Sequence, residues 1–578
     1  MKKTLLFILY LIPVALLFWF VATFSVNVPF WDQWRLAPLF DKVANGTASF
    51  GDFWALHSNH RIVFPKLIIT ALAFLSKWNI NYEIYLSLLF ALVTFWLLYK
   101  ISWIQAKGRS NFLFHSTNIL TCFLIFSLVQ EQNWLWGFQL AWFLIDFCII
   151  LAIYWLNAEQ KISAKTRICL AAICCFIASF SSFHGLLSWL ALTPSLWVIE
   201  GNRNVKIKRL LIWVSLWVAL CAVYVIDYHP QKGNPQLSSL LQQPFVAVNY
   251  FFSLLGSPLV RLPLVSATLG LVIFASFIAV IGYLFKSSQF KFEITISAAA
   301  PWLSIGLFSI LCSLSITLGR VRYGVEQALE SSRYTTTSLF LLIALIQLLQ
   351  VVMRSIELNK WKKQIYGAGS VFLAATVMVN SGWVITQAQA ALPYRQSMQT
   401  CLELINYLEK SPFHQSTDSC IWLLSSKTWL VRDGAEVLDR IGFRHLAKDI
   451  TFLASSSKDY GYLDTPAATG KILTLKTSDR IRVGGWAILP DKLEPPNLVL
   501  LSYGNQTSFF ANAYVILESP DVAKAFNSNR YHRVRWAVTF SANSLPLGET
   551  AIAAWVYNSE SQQFVKLKGE AKVRVEKP

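Results

Sequence analysis

Charge is what this sequence has least of. Only 14% of its 578 residues are charged, where a soluble domain carries about a quarter. That scarcity excludes an ordinary soluble enzyme. Also missing are a P-loop, a dinucleotide fingerprint and any zinc-spaced cysteine set, so no cofactor is expected. A divalent metal would suit the chemistry argued below, but no ligand spacing indicates one. Acidic residues are the scarcer sign, and the formal net charge is +19. Its distribution argues against nucleic acid: residues 1–387 hold 28 Lys+Arg against 13 Asp+Glu, and residues 388–578 hold 22 against 18. The excess sits in short loops between apolar segments, where it sets orientation in a bilayer.

What is present is apolar and aromatic: 55% hydrophobic residues, with 41 Phe and 23 Trp. The pattern predicts a mainly α protein, a polytopic bundle of about eleven spans. They fall at 4–26, 81–104, 116–130, 134–156, 167–182, 185–199, 209–227, 263–285, 294–318, 335–353 and 364–387. The first follows Met1-Lys2-Lys3 and reads as an uncleaved anchor with a cytoplasmic N-terminus. Residues 62–78 are short and interrupted by Pro65 and Lys66, so they read as a juxtamembrane helix. The segment 244–260 is too short and Pro-bounded to count as a span.

Alternating spans place 18 Lys+Arg in the loops on one side (1–3, 100–116, 157–167, 200–209, 286–293 and 354–364) and 8 on the other. By the positive-inside rule the richer side is cytoplasmic. The 27–61 loop and the C-terminal tail then lie outside, at the inner membrane of a bacterial-type cell. Seven of the nine Cys fall in apolar segments and read as core residues. Cys401 and Cys420 fall in the tail, and sequence alone leaves their pairing open.

The outer face holds the candidate chemistry. In the first loop Asp32 stands between Trp31 and Trp34, followed by Asp41, Asp52, His57, His60 and Arg61. Trp prefers headgroup depth, which puts this loop on the membrane surface. Asp41 and Asp52 fit helix caps, as Asp32 does for a segment starting at Gln33. Arg320, Arg322 and Arg333, beside Tyr334, defy the charge rule on an outer turn, and the Arg fork suits a phosphate or pyrophosphate. Glu131, Asn133 and Gln139 open a span, with Asp146 seven positions after Gln139 on one helical face. Glu131, Asn133 and Gln139 read, with Trp31, Trp34 and Tyr334, as lining for a substrate cavity, or else as interhelical hydrogen bonding. His184, in SSFHG, reads as a hydrogen-bonded turn residue.

Residues 388–465 look like a mixed helical linker region. From 466 to 578 the pattern becomes short alternating runs (KILTLKT, RIRVGGWAIL, NLVLLSYG, SFFANAYVIL, VRWAVTFSA, TAIAAWVYN, FVKLKG) punctuated by turn residues. That predicts an antiparallel β-sandwich.

A first span, a long outer loop with an early Asp, a multi-span bundle and a soluble outer domain together resemble the GT-C glycosyltransferases. The resemblance covers residues 1–387 as topology. It implies transfer of a sugar, hexosyl or pentosyl, from a polyprenyl-phosphate carrier to a glycan, lipid or protein acceptor. It also implies a first-loop carboxylate at work and basic groups on the carrier phosphate. Several members carry a second acid beside the first; here Gln33 follows Asp32. Independently, glycosyl transfer to a hydroxyl needs a base, and a carboxylate in an apolar setting suits that task. This assigns Asp32 as the base, and His60, Arg61, Arg320, Arg322 and Arg333 as the phosphate ligands. Two other readings stay open: a transporter or flippase of lipid-linked sugars, and an O-antigen ligase or polymerase.

Overall fold

A computed structural model describes residues 3–158, 162–229, 242–287, 292–355, 360–466, 472–505 and 507–577. Parts of the loops 157–167, 228–262, 286–293 and 354–364, used in the charge count, lie outside those residues. The chain forms two compact units. One comprises 1–25, 49–72 and 81–387; the other comprises 26–48, 73–80 and 388–578.

The first unit is a helical bundle. Among the described residues nine helices are long and apolar enough to cross a membrane. They correspond to nine of the eleven expected spans. The other two are shorter: Ala164–Ser179 has 16 residues, and 185–199 divides into Phe183–Ala191 and Thr193–Trp197. Polar caps set several helix starts. Asn111, Ser163 and Asn202 accept hydrogen bonds from the main-chain N–H groups of Phe114, Thr166 and Val205, at 2.9, 3.1 and 3.0 Å.

The juxtamembrane segment is the helix Val63–Ser76. At 1.5 Å per residue its 14 residues reach only about 21 Å, short of a span. Its Lys66 is buried because Nζ donates to the carbonyls of Asp52, Phe53 and Ala55, at 2.9, 3.2 and 2.7 Å. The ammonium thereby caps the C-terminus of the short helix Phe50–Trp54.

The second unit carries a ten-stranded sheet: β1 (Thr451–Leu453), β2 (Gly461–Thr465), β3 (Leu473–Lys476), β4 (Arg480–Ala487), β5 (Leu498–Tyr503), β6 (Ala511–Leu517), β7 (Arg535–Ser541), β8 (Gly548–Asn558), β9 (Gln563–Lys566) and β10 (Ala571–Glu576). Its order is β1-β9-β8-β5-β6-β7-β4-β2, and β10 joins β8 to β3. All pairs are antiparallel except β1/β9 and β3/β10. β6 turns the sheet over, pairing with β5 through Ala511–Tyr514 and with β7 from Val515. The folded sheet encloses one core, with Val483, Trp536 and Phe540 facing Val499, Ile552 and Val556. Strands begin at Thr451, inside the stretch that reads as linker. Cys401 and Cys420 form a disulfide.

Candidate active site

In the first unit the outer-turn residues converge. The helix Phe292–Arg320 ends at Arg320, and a 3-10 turn, Ser332–Tyr334, opens the next long helix. Arg320 and Arg333 both donate to the Tyr334 hydroxyl. The Arg333 guanidinium also lies 4.9 Å from the Tyr334 ring centre and 6.0 Å from that of Trp136. None of the described ion pairs takes Arg320 or Arg333. Two guanidinium groups thus converge on one phenol oxygen, with no carboxylate partner among the described ion pairs. Arg322 is exposed and turned to Tyr323, whose hydroxyl accepts from it at 2.6 Å.

His60 and His184 join this cluster, their rings 6.1 Å apart, with Trp142 4.5 Å from His184. Burial first, and Arg320 second, pushes His60 down to about 4. Burial, then His60 and Arg320, pushes His184 down to about 3. Both rings are therefore neutral at pH 7. His184 is hydrogen-bonded, with Nδ1 3.4 Å from Ser182 Oγ, but it lies in the first turn of the helix Phe183–Ala191 and not in a loop turn. The sequence gives no sign that it stands beside His60, because that proximity spans more than a hundred residues.

The turn is held from behind. Asn133 Nδ2 donates to the Arg333 carbonyl at 3.1 Å and to Thr336 Oγ1 at 2.5 Å. Thr336 donates in turn to Gln130 Oε1 at 2.6 Å. Asn133 is thus a brace for the turn that carries Arg333. Glu131 is committed to Arg261 at 3.2 Å, and Gln139 is buried at the start of its helix. Tyr250, which donates to Gln327, also borders Tyr334; it lies in the segment too short to count as a span.

Arg61 has a different job from the one expected. It is fully buried; Nε donates to the Tyr224 carbonyl at 2.7 Å, Nη1 to that of Trp54 at 2.8 Å, and Nη2 to that of Ile226. Its guanidinium also covers the Trp54 ring at 4.3 Å. These bonds occupy the fork expected to hold a phosphate, so Arg61 drops out of the expected phosphate-binding set.

Trp31, Asp32 and Trp34 belong to the second unit. The 3-10 helix Trp31–Leu36 starts one residue before Asp32, so Asp32 lies in its first turn and Phe30 is the cap. Trp34 is buried, edge-on to Trp78 and packed on Gly434. Gln33 Oε1 accepts from Phe30 N–H at 3.0 Å. Anchored by these two, Trp31 takes a left-handed backbone, φ 50°, and faces outward beside Trp422. The apolar enclosure expected around Asp32 is absent. Its side chain is 45% exposed and lies 3.6 Å from Arg35 Nε. Asp52 is the cap expected, bonded to Ser49 N–H and Oγ. Asp41 instead lies within a helix and pairs with Arg440 at 3.0 Å.

No protein-family model matches the chain, and no curated protein matches it. Among solved structures, that of ArnT from Cupriavidus metallidurans bound to undecaprenyl phosphate is similar over 93% of this chain and 98% of that one, with 10% identity and a TM-score of 0.36.

Proposed function

We propose that this protein is a membrane glycosyltransferase of the GT-C type, moving a sugar from a polyprenyl-phosphate or pyrophosphate carrier to an acceptor hydroxyl on the extracytoplasmic face. The observation that carries the reading is the pair Arg320 and Arg333, without carboxylate partners among the described residues and converging on Tyr334 at one end of a multi-span bundle. Guanidinium groups without a counter-charge at the end of a membrane bundle suit an anionic ligand, and Arg suits phosphate oxygens. In the reaction the acceptor oxygen bonds to the anomeric carbon as the bond from that carbon to the phosphate oxygen breaks. The leaving phosphate keeps the electron pair, and the two Arg stabilise its charge. His60 lines the same place, and Arg322 adds positive charge at the rim. Asp32, the first-loop carboxylate that the family resemblance implies, is proposed as the base for the acceptor proton. Inversion at the anomeric carbon follows from a single displacement. The disulfide in the tail supports an extracytoplasmic domain, since such bonds persist in oxidising compartments.

The test is sugar transfer in proteoliposomes from a panel of polyprenyl-phosphate donors. Wild type should transfer, while Asp32→Asn should lose turnover but keep carrier binding. Arg320→Ala should lose both. Equal transfer by Asp32→Asn would remove it from the mechanism. Passage of lipid-linked sugar across the bilayer without transfer would make the protein a transporter.

A further inference from the structure

In the tail, one face of the sheet is turned away from the core. The core takes Ile481 and Val483 from β4, and Trp536, Val538 and Phe540 from β7. Alternation puts Arg480, Arg482, Gly484 and Trp486 of β4 on the other face. There Trp486 pairs across the sheet with Tyr462 of β2 and Arg535 of β7. Phe526 stands edge-on to Trp486, with ring centres 5.6 Å apart. Tyr462 is 36% exposed and Phe526 39%. Solvent-facing apolar surface rimmed by polar groups marks a place of contact.

The polar rim is specific. Arg535 is held between Asp464 at 2.8 Å and Asp521 at 2.5 Å, and all three side chains stay partly exposed. Beyond Trp486 the face is shallow, because Gly484 has no side chain and its neighbour across the sheet is Ala537. Arg482 and Arg480 follow along the strand. Both are exposed, and no described ion pair takes either. From Trp486 to Arg480 the strand runs roughly 20 Å, the length of a short oligosaccharide.

A sugar ring fits this set of groups. Its C–H face packs on aromatic rings, and its hydroxyls donate to carboxylates and accept from guanidinium groups. A protein partner would have to bury the Arg535 ion triad and meet its desolvation cost, whereas sugar hydroxyls engage the triad while it stays wet. The two Arg without carboxylates call for negative charge on the ligand.

We propose that the outer face of β2, β4 and β7 binds a saccharide chain that carries carboxylate groups. Its rings lie on Tyr462 and Trp486, and its carboxylates meet Arg480 and Arg482. The tail thereby holds a glycan by itself, apart from the transfer of sugar.

The experiment is calorimetric titration of the full-length protein in detergent. The probes are tetragalacturonate, the neutral cellotetraose, and tetraglutamate as a peptide of like charge. Tetragalacturonate should bind more tightly than cellotetraose, and tetraglutamate should not compete with it. Tyr462→Ala, at an exposed position, should weaken tetragalacturonate by about tenfold. Arg482→Gln should remove its advantage over cellotetraose. Asp32→Asn should leave the binding unchanged, which separates this face from the proposed transfer site. Failure of both saccharides to bind would overturn the proposal, as would binding untouched by Tyr462→Ala. Equal competition by tetraglutamate would reduce the face to a patch of charge and overturn it. Loss of binding in Asp32→Asn would move the saccharide to the transfer site, with the same result.

Discussion

Arg61 gives its guanidinium to main-chain carbonyls at Trp54, Tyr224 and Ile226, whereas Arg320 and Arg333 meet across a phenol hydroxyl. As letters in outer-face loops the three are alike. What separates them is which backbone oxygens the fold delivers, and for Arg61 two of these come from more than 160 residues away. Removing Arg61 leaves buried carbonyls unpaired. Arg61→Ala should therefore destabilise the first unit by roughly 3 kcal/mol, read as a lower unfolding midpoint. Arg61→Lys should not restore it, because an ammonium cannot span the same fork. At His60 the prediction concerns pH. Burial, with Arg320 second, holds the ring down to about 4. A phosphodiester anion at Arg320 opposes the second cause and raises the pKa of His60 in the complex. The complex then binds more protons than the free protein. Affinity for a polyprenyl phosphodiester should therefore rise as pH falls from 7 toward 5, and His60→Ala should flatten that slope in a binding titration. His184, held down in part by His60, should stay neutral over the same range, because a proton on His60 repels a second one.

At the scale of elements, the helices Pro244–Gly256 and Pro263–Ser287 touch backbone to backbone. A Cβ on Gly256 would lie 1.9 Å from the Ser266 carbonyl oxygen, and one on Gly270 would lie 1.9 Å from that of Phe252. Small residues permit such approach inside a membrane, where close packing rather than water exclusion holds helices together. Gly270→Ala should cost on the order of 3 kcal/mol, or leave the protein polydisperse in gel filtration. Gly282→Ala, in the same helix with nothing within 4 Å, should be neutral. This contact explains why the 244–260 segment escapes a hydropathy reading. It is 13 residues long, and the close approach at its own Gly256 and its partner's Gly270, not its length, gives it a place. Strong alternation was easier to read. All seven runs identified in the tail became strands, from β3 to β9. The other three strands differ: β1 has three residues, β2 five, and β10, AKVRVE, alternates buried and exposed residues at the end of the tail.

On the scale of the whole molecule, sequence reading places the bundle and the sheet but not the allegiance of the first loop. Residues 26–48 cluster with the tail. Arg444 donates to Asn27 at 2.7 Å, Arg440 pairs with Asp41, and Trp34 packs on Gly434. Each partner lies about 400 positions away, and no local period records such a pairing. This allegiance ties the orientation of the loop to that of the tail. Two independent observations, the positive-inside bias and the Cys401–Cys420 disulfide, favour the outside for both. A membrane-impermeant maleimide tests that on intact cells, in a background where the exposed Cys169 is replaced by Ser. A cysteine placed at the exposed Lys458 should be labelled before lysis, and one placed at Lys107 only after it. The reverse pattern would put the tail, the first loop and Asp32 in the cytoplasm, where a lipid-linked donor of the outer leaflet could not reach them. Replacing both disulfide cysteines by Ser should also lower the stability of the tail by about 3 kcal/mol, the loop-closure value for a separation of 19 residues. That loss would be invisible to added reductant in the cytoplasm-facing case, where the bond would never have formed.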